Sequence, residues 1–223
     1  MLFFKKKRTV TKYQQYREIG KALNHKIIDR FVDRVIILSS GKYLGLVSRG
    51  KRNTLIFDNE SESAALMDFA INEYNIDEKN AAQLYKENAE LNDIESEILD
   101  ALVKSYTSLF IITDVKERDN KLILADLLNK NNDPIEIIDI GLSLTAPVGL
   151  LMFLRVVPFA DFNITGGFGF GFNGDLGDFL LREYKLRAKN VKSPSESIKR
   201  YVALFKLHRL YGIEAEYRRL SRS

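Results

Sequence analysis

The chain has 223 residues, 45% of them hydrophobic, enough for one large core or two small ones, which excludes wholesale disorder. It has no cysteine and two histidines, so disulfides, thiolate metal sites and thiol catalysis are excluded and imidazole chemistry has few actors. The net charge of +4 conceals two opposed blocks: residues 1–57 carry fourteen Lys and Arg against three acidic residues, and residues 58–100 carry two against thirteen.

At the start of the chain, Leu2, Phe3 and Phe4 precede Lys5, Lys6, Lys7 and Arg8, the reverse of the order in a secretory signal. No export signal is read, and a cytoplasmic location is expected. The first long element places Tyr16, Ile19, Leu23, Ile27, Phe31, Val35 and Leu38 at steps of three and four, one stripe along a helix. A break is expected near Asn24 or Asp33 and an end by Gly41. Residues 48–53 read as a basic turn leading into a short strand, 54–57.

Three acidic helices follow. The first is announced by the capping-box spacing of Asn59 and Glu62, the second runs through Ala81, Leu84 and Tyr85, and the third starts near Asp93. Residues 107–115, 122–128, 135–140 and 149–157 are then short apolar runs bounded by turn chemistry. Short polar connections favour antiparallel neighbours, so a four-strand meander is expected, with 162–172 as a fifth strand. The apolar stretch 137–154 is no membrane span, because Asp139, Gly141, Pro147 and Gly149 interrupt it and Arg155 follows. Two helices close the chain. The first, from Asp175, puts Leu176, Phe179, Leu180 and Tyr184 on one face. For the second, Ser193 reads as the N-cap, Pro194 as the first helical residue and Gly212 as a left-handed stop.

The expected fold is thus α+β: an antiparallel meander sheet of about five strands flanked by helices, with a helix-rich N-terminal region. Its parts are a basic region 1–57, a core 58–212 and a basic tail 213–223, with no linker long enough to separate them.

Four features bear on chemistry. Gly169, Gly171 and Gly174 form a formal G-x-G-x-x-G, but strict alternation with Phe168, Phe170 and Phe172 reads as a strand with rings on one face, not as a phosphate loop. Asp126 and Asp139 interrupt apolar strands. With a hairpin centred near Asn131 and Asn132, Asp126 faces Ile137 and both carboxylates share a face, a candidate divalent-metal or acid/base site that Arg155 could join. His208 lies beside the apolar stripe of the last helix and reads as structural; His25 reads as a surface residue. The nucleic-acid candidates are Lys5, Lys6, Lys7, Arg8, Arg49, Lys51 and Arg52, with Gly41 to Gly45 faintly like a helix-turn-helix corner.

No G-x-S-x-G elbow, Walker loop or H-E-x-x-H pair occurs, and nothing calls for a cofactor. The leading expectation is a non-enzymatic binding or protein-interaction module, with self-association or a protein partner through the aromatic and glycine-rich strand. Nucleic-acid association through the basic N-terminal region comes second, and a metal-dependent hydrolase using Asp126 and Asp139 third.

Overall fold

The computed structural model describes residues 2–48, 50 and 53–213, with side chains from Thr9 onward. Helix α1 (Leu2–Phe31) gives way to α2 (Arg34–Leu44) at Asp33, whose carboxylate accepts from the Ile36 amide at 2.9 Å. The break falls at the second expected position. Helix α2 runs past Gly41 to Leu44, because Gly45, at φ 78°, supplies the left-handed stop. Gly41 instead makes room for Leu55, which would lie 2.5 Å from a Cβ there. Residues 54–57 form no strand beyond a single bridge from Leu55 to Val47.

Helix α3 (Glu60–Asn72) is capped by Asn59; α4 (Ala81–Asn88) and α5 (Asp93–Val103) carry full capping boxes from Asn80 with Gln83 and Asn92 with Glu95. A minimal hairpin, β1 (Asn75–Ile76) and β2 (Lys79–Asn80), turns through Asp77 and Glu78, both at positive φ. No helix among the described residues is long and apolar enough to cross a membrane.

The five longer strands are β3 (Tyr106–Lys116), β4 (Lys121–Asp126), β5 (Ile135–Ile138), β6 (Leu151–Pro158) and β7 (Asn163–Phe172). They close into a barrel of order β3-β4-β5-β7-β6, so the meander expectation holds only for the first three. Residues 141–145, expected to be turn, join Ile140 in a short helix, α6 (Ile140–Thr145), which Asp139 caps by accepting from the Leu142 amide. The chain then crosses over instead of turning back, and β6 pairs with β3. Strand β7 fills the gap, antiparallel to β6 and parallel to β5. A fourth strand returning beside the first is Greek-key connectivity.

Three clusters divide the faces of the barrel, one of them setting Ile138, Val157 and Ile164 against α1, α4 and α5. Phe110, Ile112, Leu122, Leu124, Ile137, Met152, Leu154 and Val156, all from strands, fill its interior. Leu109, Phe153, Phe168, Phe170 and Phe172 point outward, beneath Phe69 of α3 and Tyr201 and Phe205 of α8 (Glu196–Tyr211). The alternation of Phe and Gly in β7 is therefore a strand as expected, and its glycines face inward: the Cε of Met152 lies 3.0 Å from where a Gly169 Cβ would stand. The idea that this strand is an open surface for self-association fails, since its rings are buried under helices. Helix α7 (Gly177–Lys189) packs on α8. The α8 cap is Ser195, accepting from Ile198, and not Ser193; Gly212, at φ −69°, is not left-handed.

Phe170 stacks on His208 with centroids 4.1 Å apart and also meets Phe153 and Phe205. Replacing Phe170 by Ala should therefore cost about 3–5 kcal/mol in urea unfolding. Burial pushes the His208 imidazole down to about 4, from an ordinary value near 6.5. Between those values the unfolded chain takes up a proton that the folded chain refuses, so stability should fall as pH drops from about 6.5 to about 4. Melting curves of His208→Gln against the parent should show that loss reduced; parallel curves would contradict it.

Candidate functional site

The basic N-terminal region is met by acid. Lys5, Lys6, Lys7 and Arg8 lie on the first turns of α1, with side chains outside the described residues; Arg49, Lys51 and Arg52 lie outside them entirely. Further along α1, Lys12 pairs with Glu97 at 3.1 Å, Lys26 with Glu95 at 2.8 Å and Lys21 with Glu18 at 2.7 Å. Arg17 donates to the Thr165 carbonyl at 2.9 Å. The acidic helix α5 thus pairs two of the α1 cations, Lys12 and Lys26.

Asp126 and Asp139 are both buried, but the strand register does not bring them together. Leu122, not Asp126, lies opposite Ile137. Asp139 sits beside Asn120 at the start of β4, whereas Asp126 ends that strand. Each is occupied locally: Asp139 caps α6 and accepts from Thr165 Oγ1, while Asp126 accepts from Ser108 Oγ at 2.6 Å, the amides of Leu128 and Asn129, and Asn129 Nδ2. Asp126 therefore pins the connection between β4 and β5. Among the described residues, no group of three or more His, Asp or Glu is placed to hold a metal ion.

Arg155 does not join them. It leaves the outer face of β6 and is 2% exposed. Its guanidinium forks onto Asp68 (2.9 and 3.1 Å from Nε, 2.9 Å from Nη2) and reaches Glu73 at 2.6 Å and Ser105 at 3.1 Å. Ser197 of α8 donates to the other Glu73 oxygen at 2.5 Å. Burial opposes the Arg155 charge, but the two carboxylates more than offset it and hold the group protonated. Burial also pushes the Asp68 carboxyl up, Arg155 pulls it back, and the nearby Glu73 adds to the push. Space for the arginine comes from a bulge. Leu154 pairs with Gly169 and Val156 with Thr165, so extra β7 residues lie opposite Arg155, and a Cβ on Gly166 would approach its stem to 2.8 Å. Gly167 takes φ 104° there.

The open cationic surface lies elsewhere. Residues 177–211 hold nine Lys and Arg against three acidic residues. Arg182, Lys185 and Lys189 form an exposed stripe along α7, and Lys192 follows in the connection to α8. None of the four has an ion-pair partner among the described residues. The sequence carried the signal: Leu176, Phe179, Leu180 and Tyr184 mark the buried face, which leaves the cations outside.

Beside this stripe runs a groove of about 490 Å³ between α7 and the connection from β4 to β5. Leu181, Tyr184 and Lys185 form one wall; Leu128, Lys130, Asn131 and Asn132 are on the other. Arg200 lies close enough to Tyr184 and Tyr106 to oppose the upward push that burial gives both phenols, and its Nε is buried without an acceptor. A second concavity, of about 520 Å³, lies between α2 and the connection from α7 to α8; Lys42 is the only cation in its lining.

Five-stranded Greek-key barrels such as the OB-fold bind oligonucleotides on the outer face of their second and third strands. Here that face belongs to β4 and β5. It presents Ile123 and Ala125, with Glu136 held by Lys121 at 2.5 Å and Lys116 at 3.3 Å, so its charge is already paired.

Fold and surface together define an α+β barrel protein in which a polybasic helix edges a groove. The chain belongs to a family of unknown function (DUF7986), whose model matches residues 7–218. No curated protein and no solved structure matches it.

Replacing Arg155 by Met would leave Asp68 and Glu73 buried around an empty centre and should cost about 3–5 kcal/mol. Urea titration should also show much of that loss recovered when both carboxylates are replaced by Leu in the same chain. A neutral Arg155→Met would mean that the cluster does not hold the layers together.

Proposed function

We propose that this protein is a non-enzymatic binding module whose partner is a polyanion, held along the outer face of α7. The observation that carries this is a contrast in pairing. Lys12, Lys21 and Lys26 on α1 are matched by carboxylates, which leaves Arg30 and Arg34 as isolated exposed cations there, whereas Arg182, Lys185, Lys189 and Lys192 stand exposed and unmatched in close succession. Unpaired cations at successive helical turns suit a ligand with regularly spaced negative charge, because each contact releases a condensed counterion. The hydrolase reading through Asp126 and Asp139 loses support, since their oxygens already serve local hydrogen bonds.

Binding should weaken steeply with salt. For a single-stranded polyanion, the triple variant Arg182→Gln/Lys185→Gln/Lys189→Gln should lower the slope of log affinity against log salt by about 2. Heparin or an oligonucleotide serves as probe, with Lys51→Gln/Arg52→Gln as the comparison for the N-terminal basic segment. A slope unchanged in the triple variant but reduced in the double one would move the contact to that segment and sink the assignment to α7.

A further inference from the structure

We infer that the groove between α7 and the connection from β4 to β5 takes single-stranded nucleic acid, with one base against Tyr184 and the phosphate chain along the α7 stripe. This rests on the polyanion reading of α7 and adds the ligand class.

The groove is not merely cationic. Lys130 and Lys185 face each other across it, but between them lie the half-buried ring of Tyr184, the leucine side chains and the amides of Asn131 and Asn132. Those two amides hold no side-chain partner among the described residues, so donors and acceptors are both available. A ring, an apolar wall, free amides and flanking cations match a nucleobase, which offers a flat π-face, a hydrogen-bonding edge and a neighbouring phosphate. A sulfated sugar chain has no π-face to place against Tyr184. In a duplex the bases are stacked inside, and it would meet only the lysines.

The start of that wall is also fixed in advance. Asp126 accepts two backbone amides and the Asn129 side chain at the start of the connection, and Ser108 anchors Asp126 in turn. That end of the loop therefore spends little conformational freedom on binding. The carboxylate that resembled a metal ligand acts as the positioning residue of a binding loop.

The experiment is fluorescence anisotropy with labelled oligouridylate and oligothymidylate, a labelled duplex, heparin, and vesicles containing phosphatidylserine. The parent should prefer the single strands. Tyr184→Leu, which keeps the apolar contact but removes the π-face, should weaken single-strand binding by about 5- to 150-fold, while Tyr184→Phe retains it. Lys130→Gln and Asn131→Ala should each weaken it with an unchanged melting temperature, so the site is tested apart from any effect of Tyr184 on folding. Three results would overturn the inference while leaving the polyanion reading standing: Tyr184→Leu binding like the parent, heparin or duplex preferred over single strands, or vesicles bound and oligonucleotides not. Failure of every polyanion to bind at low salt would overturn both.

Discussion

The structure is organised around one guanidinium that never meets water. Arg155 projects from the barrel into the helical layer, and its partners come from α3, from the residue before β3 and, through Glu73, from α8. Hydrophobic contact would join these elements in many slightly different ways. A forked ion pair accepts only one, because a displaced carboxylate would be left buried and unpaired. The bulge in β7 and the bare Gly166 are the backbone's accommodation of that side chain.

The same layer explains the shape of the barrel. Rings of β7 pack outward against α3 and α8, so only glycine is left facing a narrow interior already filled by Met152 and Leu154. A sequence that resembles a phosphate loop is thus the packing rule of a small closed barrel with a covered outer face. His208, stacked on Phe170 and buried enough to resist protonation, belongs to that cover.

Electrostatics divides the surface in a way the linear charge blocks only half suggest. The acidic block meets the basic one at two points, through Glu95 and Glu97 of α5 against Lys26 and Lys12 of α1. Arg30, Arg34 and Lys42 are exposed without an ion-pair partner among the described residues, but the closest-spaced unmatched cations lie in the mildly basic third of the chain, where α7 turns Arg182, Lys185 and Lys189 to one side. Exposure and pairing, more than local charge density, decide which cations are free to bind.

Periodicity alone determined most of the helices, two candidate places for the first break, the existence of five longer strands and the strand character of the Phe and Gly repeat, because these depend on neighbours within a few residues. The cap of α3 was legible for the same reason: Asn59 acts on an amide three residues away. The order of the strands was not legible, since it turned on whether residues 141–145 would form a turn or a helix, and β7 could close beside β5 only after that crossover. The candidate site was legible in part. The basic stripe of α7 follows from its apolar face, but the other wall of the groove is the β4–β5 connection, which begins where Asp126 accepts from Leu128 and whose register, with Leu122 and not Asp126 opposite Ile137, differs from the expected one. Register between strands and pairing between distant charges are set by three-dimensional packing, which no local pattern encodes; only the tertiary structure decided them.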